Sequence, residues 1–373
     1  MKKIGYEVAF INTKKGNPRN GEGDFLRLKN GDIMFAYTSY DGNSSHDHGS
    51  ACIRAVFSKD NGESFDICNS KIIAAKGDAV NVMCVSLMRM ANGDLGMFYG
   101  LKYITAGSNI GMTVMFTRSI DEGATWSAPI DCVKKEGYYV FENARVIRLN
   151  SGRILIPLNL HRYKDGGEFD GEIEGKGHTC YFASDDDGYT FFDTNNLISH
   201  PFNEMTHGLQ ETGIVQFESG EIFSFSRTAN GSQFESFSED DGMTWSVPMP
   251  STVFFSPASP MHIRHMAGRY TAAVFNPIPN YPHKEYKELS WGRTPLVCLI
   301  AEGDGSSFWD GKAENFILED DPCNGYCYPV VFDGGDYFLA AYYHSNNSGT
   351  CLNSCKIVKI PLELIDEQFG LKQ

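Results

Sequence analysis

Aspartate recurs at a fixed place in four similar segments, and carboxylates at this spacing could either bind calcium or stabilise a turn. The segments have the form Ser-x-Asp-x-Gly-x-(Ser/Thr)-aromatic and begin at Ser58, Ser119, Ser184 and Ser238. A calcium loop of the EF-hand type needs a trailing glutamate ligand and flanking helices, which these segments lack. Asp and Ser side chains that bond a tight turn, with Gly at positive φ, explain the pattern. We therefore predict structural turns, and we expect the catalytic groups elsewhere.

Three further groups have the residue types of a metal site. Two are cysteine pairs with four-residue spacing, Cys323/Cys327 and Cys351/Cys355. Zinc-binding cysteines are usually closer together and accompanied by histidine, so zinc at these pairs is only an alternative. The third group is His46 and His48 around Asp47, which would share one face of an extended segment but lack a third ligand. None of these groups requires a metal or a cofactor, and we expect neither.

The elements that position these side chains are short strands joined by tight turns. An apolar strand precedes each segment, and a hairpin signal lies further upstream in each case: Asn30-Gly31, Asn92-Gly93, Ser151-Gly152 and Ser219-Gly220. The four segments begin 61, 65 and 54 residues apart, and a decayed fifth copy lies at 304–309. About four strands in roughly 60 residues is typical of a propeller blade. The 373 residues therefore predict a single all-β domain, 1–373, a six-bladed β-propeller of four-stranded antiparallel blades.

Charge and composition limit the partners and the compartment. The net charge of −15 predicts repulsion from nucleic acid and anionic membranes. An anionic substrate would need a local cluster of Arg or Lys. Residues 4–10 are too short and too polar for a secretory signal, and no apolar run has membrane-spanning length. The ten cysteines are scattered, mostly in strand-like stretches, which indicates a reduced, cytoplasmic protein.

The repeated motif is the Asp-box, and its recurrence on a six-bladed scaffold resembles the sialidase (neuraminidase) superfamily over nearly the whole chain. The resemblance implies a retaining exo-glycosidase that removes terminal sialic acid or a related carboxylated sugar. Convergent arginines would hold the carboxylate. A neutral tyrosine activated by a glutamate would be the nucleophile, and an aspartate the acid/base. Because Asp-boxes also occur in propellers that only bind partners, the function depends on the site residues.

The resemblance points to a glutamate and three arginines. Glu211 precedes an apolar strand and Arg227 ends the next one, which matches the family's glutamate and its second carboxylate-binding arginine. Arg293, at a strand start between Gly and Pro, fits the third arginine. Arg19 fits the first in order and location, although the family's usual Arg-Ile-Pro is replaced by Arg19-Asn20-Gly21. Each could instead be a structural cation or part of a buried ion pair.

The same resemblance points to the acid and the nucleophile. Asp47 lies in a loop eleven residues before Ser58, where the family places its catalytic aspartate, and Asp41 is the alternative. Tyr328 precedes a proline at the start of the last blade and fits the nucleophile. Tyr326, two residues earlier, could share its face and is the alternative. Further polar candidates for lining the pocket are Asn143, Arg145, His161 and His207.

Two other functions are compatible with the sequence. The altered segment after Arg19 allows a glycoside hydrolase on the same scaffold that acts on a different glycan. A non-catalytic propeller that binds glycans or proteins would tolerate loss of the tyrosine, glutamate and aspartate. Because every expected residue type occurs in the expected order, the sequence favours a carbohydrate-cleaving enzyme.

Overall fold

Strands make up nearly all of the regular structure in the computed structural model of this protein. The structure describes residues 1–107, 109–164, 173–202, 205, 207–280, 292–348 and 350–370. The chain begins with two strands that join sheets built by its later parts, β1 (Lys2–Lys3) and β2 (Tyr6–Ile11). The predicted all-β fold is confirmed, and the described residues form five sheets.

The first half of the chain forms two sheets. The first sheet contains β3 (Asn20–Arg27), β4 (Ile33–Tyr40), β5 (Ala51–Ser58) and β6 (Lys71–Ala74). The second has nine strands: β7 (Asn81–Arg89), β8 (Leu95–Ile104), β9 (Ile110–Ser119), β10 (Ile130–Asp131), β11 (Tyr138–Val140), β12 (Ile147–Arg148), β13 (Ile154–Tyr163), β14 (Ile173–Ser184) and β15 (Phe192–Asp193). Successive long strands pair antiparallel, as expected for short connections.

The second half forms three sheets. The third contains β16 (Gln210–Gln216), β17 (Ile222–Arg227), β18 (Ser232–Ser238) and β19 (Met249–Phe255). The fourth contains β1 with β20 (His262–Met266), β21 (Tyr270–Phe275), β22 (Leu296–Glu302) and β23 (Glu314–Glu319). The fifth contains β2 with β24 (Tyr326–Asp333), β25 (Tyr337–His344) and β26 (Ser354–Pro361). A 3-10 helix, Ser306–Asp310, and one short α-helix, α1 (Glu363–Gln368), complete the described elements, and no described helix has the length and apolar composition to cross a membrane.

Three of the five sheets have the four strands expected of a blade, and the other two have five and nine. The five-stranded sheet gains β1, which pairs parallel to β23. In the nine-stranded sheet, β11 pairs parallel with β9 and antiparallel with β13, so it joins two meanders. These two sheets depart from the expected unit because short segments pair along their edges.

The Asp-box segments form the predicted turns. In the third copy, Asp186 accepts hydrogen bonds from the Ser184 hydroxyl (2.8 Å) and from the main-chain nitrogen and hydroxyl of Thr190 (2.8 and 2.6 Å). The Ser184 hydroxyl accepts from the main-chain nitrogen of Gly188, whose φ is 86°. The other three copies repeat this pattern around Asp60, Asp121 and Asp240. The Asp-box aspartates therefore accept hydrogen bonds within their own turns, which is a structural role.

The decayed fifth copy folds differently. Asp304 accepts from the main-chain nitrogen and the hydroxyl of Ser306, and the chain then enters the 3-10 helix. The segment lacks the leading Ser and the spacing of the other copies. It consequently forms a helical turn, not an Asp-box turn.

Neighbouring sheets pack through large apolar side chains. One buried cluster joins the first sheet to the fifth through Phe25, Phe35 and Leu339. A second fills the nine-stranded sheet around Phe98 and Phe116, whose ring centroids lie 4.5 Å apart. The first strands of the sheets also contact one another: β3 packs against β7 and β24, and β20 packs against β16 and β24. Side chains that project from these first strands are thus brought close together.

Candidate active site

Four strands that begin sheets, β3, β7, β16 and β24, carry the same irregularity. In each, the register with the following strand shifts around one residue, which has a left-handed backbone. These residues have φ values of 53°, 51°, 50° and 52° and are, in chain order, Glu22, Cys84, Glu211 and Tyr328. A β-bulge changes the direction of the side chain it carries. All four side chains line one pocket, with a volume of about 190 Å³.

Tyr328, the expected nucleophile, is hydrogen-bonded to Glu211. Its hydroxyl donates to Oε1 of Glu211 over 2.6 Å, and the same oxygen accepts a bond of 2.5 Å from Nη1 of Arg227. Burial and the Glu211 charge raise the pKa of Tyr328 well above its usual value, so the phenol is neutral. Burial disfavours ionisation of Glu211, but the charge and hydrogen bond of Arg227, the hydrogen bond from Tyr328 and the charge of Arg293 together outweigh it and lower the pKa of Glu211. A neutral tyrosine therefore contacts an ionised carboxylate that can accept its proton.

Arg293 and Arg145, both predicted to bind substrate, occupy different places. The guanidinium carbon of Arg293 lies 5.6 Å from the centroid of the Tyr328 ring, and Nη2 donates to the main-chain oxygen of Ala258 over 3.0 Å. Arg145 is buried, and its Nη1 donates to the main-chain oxygen of Met261 over 2.6 Å. The structure thus brings Arg293 to the nucleophile. None of Arg145, Arg227 and Arg293 is part of the pocket lining, and the main-chain oxygen of Met261 holds Arg145.

Arg19, predicted as the first carboxylate-binding arginine, contacts three side chains of its own protein. Nε donates to the hydroxyl of Tyr343 over 2.8 Å, Nη1 to Oδ1 of Asp47 over 2.5 Å, and Nη2 to Oε1 of Glu22. The guanidinium carbon also lies 4.6 Å from the centroid of the Tyr40 ring. Arg19 therefore links the acid candidate to the pocket. A substrate carboxylate bound here would compete with Glu22 and Asp47.

Asp47, the expected acid, lies on an exposed loop and lines the pocket. Nζ of Lys102 donates to its main-chain oxygen over 2.7 Å. Desolvation works against ionisation, but the charges of Arg19 and Lys102 outweigh it and hold the pKa of Asp47 well below its usual range. The carboxylate is consequently ionised while its pair with Arg19 is intact.

Tyr326, the alternative nucleophile, lies outside the pocket lining. It is fully buried in the core, with its ring centroid 5.2 Å from that of His344 and 6.3 Å from that of Tyr342. The expectation that it shares a face with Tyr328 is wrong. The bulge at Tyr328 breaks the alternation of β24, so the two side chains diverge.

The remaining candidates have separate roles. His161 lines the pocket, its Nδ1 is 2.9 Å from the main-chain oxygen of Glu174, and burial lowers its pKa, so it is neutral. Asn143 is buried and donates to the main-chain oxygen of Gly23 over 2.9 Å, which makes it a structural contact. His207 is exposed and is not part of the lining, so the prediction that it binds substrate has no support in the described geometry.

Sequence reasoning missed several pocket residues. Five of them are polar or ionisable: Glu22, Cys84, Lys102, Glu142 and Gln210. A glutamate three residues after Arg19 was a signal for an ion pair, and Gln210 directly precedes Glu211, whereas Cys84, Lys102 and Glu142 have no neighbouring motif. Apolar residues complete much of the wall: Met83, Met112, Tyr138, Val140, Phe141 and Ile173. The pocket therefore combines a charged region with an apolar one.

The metal hypotheses gain no support. Among the described residues, no three His, Cys, Asp or Glu side chains are placed to hold a metal ion. The cysteines also do not pair as their spacing suggested: Sγ of Cys327 lies 3.2 Å from Sγ of Cys351, both buried. Cys323 is only partly buried, and Cys355 belongs to a separate core cluster.

Comparison with known proteins agrees with this architecture. Residues 69–342 match the family described as BNR repeat-like domain, and a comparison with curated proteins gave no match. Among solved structures, a protein of unknown function from Dyadobacter fermentans superposes with a TM-score of 0.72 at 17% identity, over 95% of this chain and 98% of that one. The NanB sialidase from Streptococcus pneumoniae superposes with a TM-score of 0.68 at 11% identity, over 97% of this chain and 71% of that one. The leech intramolecular trans-sialidase complexed with 2,7-anhydro-Neu5Ac superposes with a TM-score of 0.70 at 14% identity, over 98% of this chain and 71% of that one.

At these identities, the superpositions establish a shared sialidase-like fold. The family match extends over nearly three quarters of the chain and includes three of the four Asp-box turns. The chain belongs to the BNR repeat-like domain family.

Proposed function

We propose that the protein is a retaining exo-glycosidase that removes a terminal sialic acid, or a related carboxylated sugar, from a glycan. One observation carries the proposal: neutral Tyr328 is hydrogen-bonded at 2.6 Å to ionised Glu211, with Arg227 and Arg293 beside it. Sialidases use a tyrosine as nucleophile in place of the usual carboxylate. The sialidase neighbours from Streptococcus pneumoniae and leech support the same reaction class.

In the first half-reaction, the hydroxyl oxygen of Tyr328 forms a bond to the anomeric carbon. The bond from that carbon to the oxygen of the leaving glycan breaks at the same time. The phenol proton passes to Oε1 of Glu211, and Asp47, in its acid form, gives a proton to the leaving oxygen. The products are a glycosyl–tyrosine intermediate and a glycan alcohol.

In the second half-reaction, water attacks the anomeric carbon and gives a proton to the carboxylate of Asp47. The bond between the anomeric carbon and Tyr328 breaks, and Glu211 returns its proton to the phenol oxygen. Two displacements at one carbon leave the anomeric configuration unchanged. Each residue also regains its starting protonation state.

Asp47 needs substrate to become an acid. In the free protein, the pair with Arg19 keeps the carboxylate ionised. A substrate carboxylate that binds Arg19 weakens this pair, which raises the pKa of Asp47. Binding of the correct sugar thereby prepares the proton donor.

The arginines supply local positive charge in an acidic protein. Arg19, Arg227 and Arg293 all surround the Tyr328–Tyr343 ring pair, whose centroids lie 5.8 Å apart. The protein as a whole carries a net charge of −15. A carboxylated sugar would therefore be attracted to the end of the pocket beside Tyr328 in particular.

We also propose that the five sheets form six propeller blades, in a single unit over residues 1–373. The contacts of β3 with β7 and β24, of β20 with β16 and β24, and of β16 with β13 support a closed ring around the pocket. The nine-stranded sheet then counts as two blades joined by β11. Pairing of β2 with β26 closes the ring with the beginning of the chain.

One observation favours a second candidate, hydrolysis of a different glycan by the same machinery. Arg19 already bonds to Glu22, Asp47 and Tyr343. A sugar without an anomeric carboxylate would leave this network in place. Such a substrate would be held by Arg227 and Arg293 through neutral oxygens.

Hydrolysis of 4-methylumbelliferyl α-N-acetylneuraminide tests the proposal. We expect turnover by the wild type, a loss of about 1,000-fold or more in Tyr328→Phe, and normal activity in Tyr189→Phe, an exposed control. Turnover that survives Tyr328→Phe would overturn the mechanism. A wild type that cleaves only neutral aryl glycosides would support the second candidate, and glycan binding without any cleavage would indicate a binding propeller.

A reduced, cytoplasmic location also remains a proposal. All ten cysteines are free thiols in the structure. Free thiols persist in reducing compartments. Mass spectrometry of protein that is denatured and alkylated during isolation should count ten alkylated cysteines, and a lower number would argue against this compartment.

A further inference from the structure

Glu142 is a buried pocket carboxyl that the proposed mechanism does not use. It lies in the loop between β11 and β12, lines the same pocket as Tyr328 and Glu211, and is only 5% exposed. Its Oε1 accepts a hydrogen bond of 2.8 Å from the main-chain nitrogen of Asn143. Within the described part of the chain, no group donates a hydrogen bond to Oε2 of Glu142. No cationic side chain there forms an ion pair with the carboxyl group within 4.0 Å.

The loop that carries Glu142 is fixed to two strands. Asn143 donates to the main-chain oxygen of Gly23 in β3 over 2.9 Å. The main-chain nitrogen of Ala144 donates to the main-chain oxygen of Val85 in β7 over 2.9 Å. The main-chain nitrogen of Arg145 donates to the hydroxyl of Ser86, also in β7, over 2.8 Å. A side chain held this way is positioned before any ligand arrives.

We propose that Glu142 contacts the bound sugar through its second carboxyl oxygen and selects a sugar that presents a hydroxyl or amide group to this wall of the pocket. The inference rests on the proposed function and identifies one determinant of its substrate class. Glu142 would be a specificity residue, since Tyr328, Glu211 and Asp47 already account for the bond-breaking steps.

The charges around Glu142 favour its neutral form. Burial, followed by the charges of Glu22 and Glu211, raises the pKa of Glu142 well above its usual value. Arg145 is the cation that opposes this, and the thiol of Cys84 is also nearby. A carboxyl group that keeps its proton can donate one hydrogen bond and accept others. It therefore matches a neutral oxygen or amide of a sugar, whereas the arginines match the anomeric carboxylate.

The neighbours of Glu142 in the pocket explain why this contact would discriminate. Val140, Phe141 and Met112 are apolar and cannot replace a lost hydrogen bond. A sugar without a polar group here would leave the Glu142 hydroxyl unpaired in a site from which binding has removed water. Sites built to bond a polar group reject analogues that lack it for this reason.

Calorimetric binding of 2-deoxy-2,3-didehydro-N-acetylneuraminic acid, which is not cleaved, tests the inference separately from catalysis. We expect Glu142→Gln to bind within about threefold of the wild type, and Glu142→Leu to bind about 10- to 100-fold more weakly. Exposed Glu239→Leu is the matched control and should bind as the wild type does. Thermal melting of each variant establishes that it is folded.

A second comparison covers the case in which Glu142→Leu does not fold. Wild-type affinity should fall as pH rises toward the raised pKa of Glu142, and Glu142→Gln should lose that component of the pH dependence. Wild-type-like binding by folded Glu142→Leu, equal losses in both variants, or identical pH dependence would each overturn the inference while leaving the proposed function intact. A wild type that neither binds this sugar nor cleaves the α-sialoside would overturn both.

Discussion

The hydroxyl of Tyr328 lies 2.6 Å from Oε1 of Glu211, and the two residues occupy equivalent bulges in different sheets. Their φ values are 52° and 50°, a conformation that non-glycine residues adopt rarely and at a cost of about 1–3 kcal/mol. Strands of the fold, not loops, therefore set the distance between the expected nucleophile and its base. The same strained position in two places indicates a constraint imposed by the pocket.

The first prediction separates the two tyrosines of β24. Tyr326→Phe should change kcat/KM by less than about twofold, because its ring packs in the core against His344. Tyr328→Phe should instead abolish turnover. Steady-state hydrolysis of the fluorogenic α-sialoside measures both, and a severe loss in folded Tyr326→Phe would contradict the assignment.

The second prediction concerns the Arg227–Glu211 pair. Arg227→Gln removes the charge that lowers the pKa of Glu211, while burial continues to raise it. Glu211 must be ionised to accept the phenol proton, so the acid limb of the kcat/KM profile should move up by about one pH unit or more. Arg269→Gln, at an exposed arginine paired with Asp366, should leave the limb in place. An unchanged limb in Arg227→Gln would exclude Glu211 as the base.

The third prediction concerns the pH dependence of stability through Asp24. Burial raises the pKa of Asp24 to about 6, although Arg264 and the main-chain nitrogens of Leu87 and Phe25 act in the opposite direction. Between about pH 4 and 6, the folded protein keeps this proton while the unfolded chain has lost it. The contribution of Asp24 to the free energy of unfolding should therefore fall by about 3 kcal/mol as pH rises through this range, and it should be constant above it.

Urea unfolding of the wild type and Asp24→Asn at intervals from pH 4 to 7 measures this contribution. The variant loses one of the two main-chain hydrogen bonds, because an amide nitrogen cannot accept, so it should be less stable at low pH. Its stability should then decline less steeply than that of the wild type. Parallel curves would show that Asp24 does not titrate in this range.

The fourth prediction is that Asp-box aspartates stabilise the fold without taking part in chemistry. Asp186→Ala removes three hydrogen bonds of one turn and should lower the free energy of unfolding by about 1–3 kcal/mol. Neighbouring Asp185 pairs with Arg153 at the surface, and Asp185→Ala should cost less than about 1 kcal/mol. Both variants should keep wild-type kcat at a temperature where they are folded, and a selective loss of kcat in Asp186→Ala would reverse this view.

The amino-acid sequence by itself determined the repeated turns and much of the strand pattern. An Asp-box depends on bonds between residues at most four apart, so its form is visible in a short window, as at Ser184 and Asp186. The resemblance it carries also placed Glu211, Arg227 and Tyr328 in order along the chain, and these residues meet in the structure. The short strands β1 and β11 escaped prediction because segments of two or three residues contain no periodicity to detect.

Only the tertiary structure decided which side chains line the pocket. A bulge adds one residue to a strand and reverses the face of those beyond it, so strict alternation wrongly aligned Tyr326 with Tyr328. Glu22 lies in β3 and Glu142 in the loop between β11 and β12, and their shared environment arises when distant parts of the chain pack together. The residue types at the four bulges do not reveal the left-handed backbone there, because none of these residues is glycine. Packing between distant strands imposes it, and for that reason it became visible only in the folded chain.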